Sequence, residues 1–171
     1  MSDSSTGSIE VKNIYKIFGS RSDSALSMLR AGSSKQEILA KLGCNVGLNN
    51  VSMHIPAGKI FVIMGWSGSG KSTLVRHFNR LIEPTSGEIL VDGQNVLKLE
   101  PSGLRGLRRQ TMSMVFQSFG LLPHKTVQDN VGYGLMIRGE KYQESAKNIQ
   151  YWIERVGLKG YENSYPDELS G

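Results

Sequence analysis

Lys59-Ile60-Phe61-Val62-Ile63-Met64-Gly65-Trp66-Ser67-Gly68-Ser69-Gly70-Lys71-Ser72-Thr73-Leu74 carries the pattern that decides the fold. Lys59 to Met64 predicts a continuous apolar strand, buried on both faces of a parallel sheet. A glycine-rich loop follows at once. Lys71 to Ile82 then places Leu74, Val75, Phe78 and Leu81 at helical spacing. The loop, Gly65 to Ser72, fits G-x-x-x-x-G-K-S/T. Each residue type has a chemical reason. Backbone N–H groups from Gly65 through Gly70, with Ser67, Gly68 and Ser69 between, curl around phosphates, and glycine allows the angles and the close approach. The helix N-terminus that follows favours an anion. Lys71 is placed to reach the β- and γ-phosphates, and the Ser72 hydroxyl to ligate Mg²⁺. The Thr73 hydroxyl is placed for the α-phosphate. ATP and GTP both fit this motif.

Outward from the loop, strands and helices alternate. Ile9 to Ile17, Gly47 to Ile55, Gly87 to Asp92 and Met112 to Gln117 read as strands. Gly19 to Ser24 and Gly32-Ser33-Ser34 read as loops. Two short helical patches, around Ala25, Leu26, Leu29 and around Ile38, Leu39, Leu42, lie between the first two strands. Ser102 is a candidate N-cap for a short helix to Arg109, and 126–138 and 142–156 read as helices. Pro56-Ala57-Gly58 is a turn. The alternation argues an α/β domain. Residues 1–8 read as a disordered tail.

The 171 residues are 39% hydrophobic and 20% charged, enough for one globular domain. Twenty glycines with five prolines exclude collagen-like and proline-rich disordered chains. The longest apolar run, Ile60 to Met64, is far short of the about 20 residues a membrane span needs. The polar start, Met1 to Ser8, lacks a secretory apolar core. One cysteine, Cys44, excludes a disulfide within the chain and a multi-cysteine zinc site. The net charge of +5 is spread evenly, with its densest cluster at Arg105, Arg108 and Arg109. A nucleic-acid surface needs a basic stripe with interleaved aromatics, and none is visible. A weak pull toward anionic lipid headgroups fits the charge.

Further motifs follow the phosphate loop in order. Met114-Val115-Phe116-Gln117 ends the last of the strands. Leu121-Leu122-Pro123-His124-Lys125-Thr126-Val127-Gln128-Asp129-Asn130-Val131 comes next, and Leu169-Ser170-Gly171 closes the chain. With the phosphate loop, these resemble the ATP-binding subunit of ABC transporters: its Q-loop, the segment after it, and the first three residues of its signature motif. The connection from Gly19 to Val46 is longer than most of that family carries. With Asn13 to Gly19 before it and Ser164 to Gly171 at the end, it resembles the glycine betaine/proline importer branch. The fold this implies is that of a P-loop NTPase, with peripheral antiparallel strands and part of a helical subdomain. The implied layout is a phosphate-loop core at 9–100 with an insert at 19–46, then a Q-loop and helical subdomain at 101–171.

The resemblance also implies roles. Phe18 stands where the family stacks adenine, with Tyr15 as competitor; a flat ring offers a π-face to the base. Gln117 contacts Mg²⁺ and the attacking water, and it joins Lys71 as a catalytic residue. Ser170 and Gly171 face the γ-phosphate held by a second ATP-binding subunit in a head-to-tail dimer. The helices at 126–156 dock on membrane permease subunits, and an external solute-binding protein acts through them. The subunit is expected at the cytoplasmic face of the bacterial membrane, peripherally. The family's Mg²⁺-binding Asp, catalytic Glu and switch His lie past the signature, inside which this chain stops. The resemblance thus implies an N-terminal fragment with open apolar surface, weak nucleotide binding, a tendency to aggregate and no turnover alone.

Other readings are an ABC importer ATPase for another small solute, a non-transport ABC ATPase of DNA repair or translation, and a nucleotide-binding stub without turnover. His124 sits alone in its segment and reads as non-catalytic. His54 and His77 likewise show no partner in the sequence. Asp92 resembles part of the peripheral strands, not a Mg²⁺ ligand.

Overall fold

The computed structural model describes residues 7–116 and 120–169. The chain divides into two compact units, Met1–Arg105 and Gly106–Gly171.

The first unit is built on an antiparallel sheet. Strand β1 (Ile9–Phe18) pairs with β2 (Asn45–Ile55) on one side and β3 (Ser86–Val91) on the other, and β4 (Gln94–Asn95) extends the edge beyond β3. The buried residues of β1, Val11, Ile14 and Ile17, recur every three residues, not every two. Shifts in the β1–β2 register restore the inward face each time. At the first shift Asn13 takes a left-handed conformation, φ 49°. Its N–H donates to Ser52 Oγ at 2.9 Å and its side-chain amide to Asn50 Oδ1 at 2.9 Å. Asn tolerates this region better than most residues because its short polar side chain bonds locally.

The long connection between β1 and β2 is a packed lobe. Helix α1 (Ser22–Arg30) starts three residues earlier than the sequence predicts, and α2 (Lys35–Leu42) follows. Ser34 and Glu37 close a capping box, and Gly43 ends α2 at φ 66°. The Ser34 N–H beside Glu37 holds its carboxyl below the ordinary range. Ala25, Leu29, Ile38, Cys44 and Val46 bury against Ile17 to make a small core.

Helix α3 (Lys71–Phe78) follows the phosphate loop and is shorter than the predicted 71–82. Arg80 turns left-handed, φ 55°, and the N–H groups of Leu81 and Ile82 both return to the Arg76 carbonyl. Arg80 then bridges to the Leu99 carbonyl at 2.8 Å.

Two predicted strands are not strands here. Lys59 to Met64 has no strand partner among the described residues, and Ile60 and Met64 stand 97% and 85% exposed. Residues 112–116 are likewise unpaired, with Val115 open to solvent. An apolar run buries itself only when neighbouring strands flank it. The predicted disordered tail is also corrected at its end: Gly7 and Ser8 donate their N–H groups to Asp92 at 2.7 and 2.8 Å. Those two bonds, Ser8 first, hold the Asp92 carboxyl below its ordinary range. They account for Asp92 as a strap on the first strand.

Helix α4 (Pro101–Gly106) begins one residue before the expected Ser102 cap, with proline at its first position. In the second unit a wide π-helical turn, Leu107–Thr111, comes first. Helices α5 (Val127–Arg138) and α6 (Tyr142–Arg155) pack through Val127, Ile149 and Ile153. Gly132 faces Ile149, where a Cβ would stand 2.8 Å from Cδ1. Asn130 organises the segment ahead of α5. Its Oδ1 accepts from the Leu122 N–H at 2.8 Å, and its Nδ2 reaches the carbonyls of Leu122, Lys125 and Thr126. Among the described residues no helix is long and apolar enough to cross a membrane.

Candidate nucleotide site

Gly70 ends the phosphate loop in a left-handed conformation, φ 94°, and opens α3. No side chain caps that helix start. Its first N–H groups therefore face outward with the positive end of the helix dipole behind them, which suits a phosphate. Gly68 is also left-handed, φ 77°. Within the loop the Ser69 N–H bonds the Trp66 carbonyl at 3.2 Å.

Lys71 reaches back over the loop. Its ammonium donates to the carbonyls of Gly65 and Trp66, each at 2.8 Å. An ammonium carries three donors, so one remains to meet an anion.

A cleft of about 280 Å³ opens in front of this helix start. Gly68, Gly70, Lys71, Ser72 and Thr73 form one wall. Phe18 and residues Asn45, Val46 and Gly47 form the other. Among the described residues, Lys71 is the one charged residue lining it, and no carboxylate does. The volume approaches the range of small-molecule sites. Gly47 gives the Phe18 ring its place: a Cβ there would stand 2.8 Å from Phe18 Cε2. The ring is 43% exposed, and Lys16 Nζ lies 5.0 Å from its centre.

Sequence reasoning left Tyr15 as a competitor to Phe18. The structure places Phe18 at the cleft, while Tyr15 packs on the lobe core with the Arg30 guanidinium 5.2 Å from its ring. The predicted loop residues Gly68, Gly70, Lys71, Ser72 and Thr73 come together with Phe18 at the cleft. Gly65 and Ser69 are exposed and do not line the cleft; Ser69 Oγ lies 2.9 Å from where a Gly65 Cβ would stand. Ser67 is exposed on the loop. Gln117, Ser170 and Gly171 lie outside the described residues. Asn45 and Val46 were missed by sequence reasoning. No motif marks them, since their place comes from β2 returning beside the loop.

His77 is fully buried on α3, with Nδ1 2.6 Å from the Thr73 carbonyl. A carbonyl only accepts, so Nδ1 carries the proton in this bond. Burial pushes the His77 pKa down, against the raising effect of the Thr73 bond. His54 and His124 are exposed. Among the described residues no cluster of His, Cys, Asp and Glu is arranged to hold a metal by itself. Ser72, exposed at the start of α3 beside the cleft, fits a Mg²⁺ that arrives with a nucleotide and keeps mostly phosphate and water oxygens.

An uncapped helix start behind a glycine loop, with a lysine folded across it, defines a phosphate-binding loop of the P-loop class. The family model for ABC transporters matches residues 48–171, and the chain belongs to that family. It is 48% identical over 163 residues to the glycine betaine/proline betaine transport ATP-binding protein ProV of Escherichia coli. It is 50% identical over 163 residues to the glycine betaine/carnitine transport ATP-binding protein GbuA of Listeria monocytogenes. Each match covers 95% of this chain and 41% of the relative, so the chain spans about two fifths of the length of these curated relatives. Among solved structures, a dimeric ATP-binding cassette, MJ0796, in a post-hydrolysis state bound to ADP and Pi, superposes with a TM-score of 0.75 at 28% identity. That match covers 95% of this chain and 63% of the other. The fold is therefore that of the ABC ATPase, with an antiparallel sheet beside the phosphate loop, as the sequence implies.

Proposed function

We propose that this chain is the nucleotide-binding part of an importer subunit that uses ATP to drive uptake of glycine betaine- and proline-type compatible solutes. The observation that carries the ATP reading is the cleft itself, where Phe18 faces the uncapped start of α3 across a space of about 280 Å³. A flat ring at one end and an anion site at the other suit a base and a phosphate chain. Mg²⁺ bridging the phosphates would neutralise their charge, with Ser72 as its protein ligand. Lys71 and the α3 N–H groups hold the phosphates, and Phe18 orients the base. Gln117, Ser170 and Gly171 complete this reading as the water-positioning residue and the contacts to a second subunit's nucleotide.

The solute class rests on the reach of the matches. Those to betaine and trimethylamine N-oxide systems span 95% of the chain, too much to leave out the lobe between β1 and β2. Those to methionine import proteins span 74% and 83%. The solutes named for the former are small, N-methylated and dipolar. By the same reading the subunit works as a head-to-tail pair on membrane permease subunits at the cytoplasmic face, fed by a solute-binding protein outside.

The test is uptake of labelled glycine betaine in cells whose gene for this chain carries Lys71→Ala. Betaine uptake falls to background while methionine uptake persists. Loss of methionine uptake with intact betaine uptake overturns the solute assignment. Direct titration of the chain with a fluorescent ATP analogue checks the nucleotide reading separately.

A further inference from the structure

Phe18 does not stand alone at the end of its strand. On β1, Ile17 turns into the lobe core, while Lys16 and Phe18 flank it on the opposite face. The Lys16 side chain is partly buried and sets its ammonium 5.0 Å from the centre of the Phe18 ring. The same ammonium donates to the Glu83 carbonyl at 2.8 Å. That carbonyl is a firm anchor. Pro84 restricts the backbone of Glu83 before it. Thr85 ties the segment to β1 twice: its N–H donates to the Tyr15 carbonyl at 2.8 Å, and its Oγ1 accepts from the Ile17 N–H at 2.9 Å. The Glu83 carboxylate is paired with Arg80, which also bonds the Leu99 carbonyl. Glu83 follows the end of α3, the helix whose start forms the phosphate wall of the cleft. One ammonium thus joins the segment that follows α3 to the ring that faces the start of α3.

We propose that Lys16 is a positioning residue for the nucleotide base: it holds the Phe18 ring in the orientation that receives the base, without touching the nucleotide itself. This rests on the reading of Phe18 as the base platform. A ring that is 43% exposed swings about its side-chain bonds unless something fixes it, and ordering it on binding costs affinity. The Lys16 ammonium limits that swing through its attraction to the ring's π-cloud. Lysine suits the place, because its apolar stem can lie along the strand while its head reaches the carbonyl. Lys16 does not line the cleft, so it acts on the ring and not on what the cleft holds. Its effect belongs to ligands that carry a base and is absent for bare phosphate chains.

The experiment measures, by calorimetry on the full chain with Mg²⁺ present, affinities for ATP and for inorganic tripolyphosphate, which lacks a base. Lys16→Met keeps the stem and removes the charge and the donor, while Lys16→Arg keeps both. Lys35→Met, exposed on α2, removes the same charge elsewhere. Lys16→Met is expected to bind ATP about fivefold more weakly, the scale of one cation–π contact, and to bind tripolyphosphate like the parent. Lys16→Arg and Lys35→Met keep the parent affinity for ATP. In a Phe18→Ala background Lys16→Met adds no further loss, because the ring it positions is gone. Circular dichroism melts check folding. If Lys16→Met is unfolded, Lys16→Gln, which has a donor but no charge, replaces it with the same expectations. The proposal is overturned if Phe18→Ala weakens ATP while Lys16→Met does not, or if Lys16→Met weakens both ligands alike. It is also overturned if Lys16→Arg fails to keep the affinity, or if the losses of Lys16→Met and Phe18→Ala add. If the parent does not bind ATP, or if Phe18→Ala binds it like the parent, the base-platform reading itself falls and the proposal falls with it.

Discussion

Gly70 lies so close to Gly47 that a Cβ on Gly70 would stand 2.8 Å from the Gly47 carbonyl oxygen. The phosphate loop is thus seated directly on strand β2. Replacing Gly70 by alanine forces either the loop or the strand to move, and it strains a backbone at φ 94°. Left-handed strain for a non-glycine residue costs roughly 1–2 kcal/mol. Gly70→Ala is expected to lower nucleotide affinity at least tenfold. Gly68→Ala, where a Cβ meets open space, carries strain alone and loses less. Titration with a fluorescent ATP analogue ranks the two.

Phe18 and Tyr15 separate by role. Phe18→Ala removes the cleft's ring and is expected to weaken ATP by about 1–3 kcal/mol, the worth of a stacked base. Phe18→Tyr keeps a π-face and most of the affinity. Tyr15→Ala leaves nucleotide binding near the parent value but lowers the denaturation midpoint, because Tyr15 packs on the lobe core. The reverse pattern would move the base to Tyr15.

His77 makes stability depend on pH in a defined direction. Its pKa in the folded chain lies below the ordinary 6.5 because burial disfavours the charged ring. Between the two values the unfolded chain binds more protons, so stability rises with pH. The stability is present above 6.5 and is lost as pH falls through the folded value. Urea midpoints measured from pH 7.5 down to 5 should fall for the parent chain. His77→Leu, which removes the titrating ring, should flatten that dependence. An equally steep fall in the variant would assign it to other groups.

Asn130 bridges the segment 121–126 to α5 with both ends of its amide. Asn130→Ala strands the Leu122 N–H and removes a donor from the carbonyls of Leu122, Lys125 and Thr126, of which the first and last keep backbone partners; it is expected to cost the second unit about 1–3 kcal/mol. Asn130→Asp keeps the acceptor but sets a negative charge against the carbonyls. Hydrogen exchange at the Leu122 and Lys125 N–H groups is expected to speed up in both variants relative to the parent.

The phosphate loop and its helix were legible because glycine angles, helix start and lysine lie within a few residues of each other. The helices of the lobe and of the second unit were legible for the same reason, since apolar spacing is local; their caps, Ser34 and Thr126, showed only in the structure. What escaped was set at a distance. Lys59 to Met64 has the composition of a buried strand, yet pairing is decided by neighbours that no local pattern reports. The spacing of Val11, Ile14 and Ile17 looks irregular until the shifts at Asn13 and beyond are seen. Asn45 and Val46 join the cleft only because β2 returns beside the loop. Phe18 could be separated from Tyr15 only once Gly47 was seen to make room for its ring.

Lys71 grips the carbonyl of Trp66, whose indole is 90% exposed. Indole emission responds to nearby charge and water, so this protein has a built-in optical gauge at the mouth of its loop. The other tryptophan, Trp152, lies on α6 in edge contact with Tyr151, rings 5.2 Å apart. With Trp152 replaced by phenylalanine, the remaining emission would report the loop alone. Arrival and departure of an anion could then be timed by stopped flow without any attached dye.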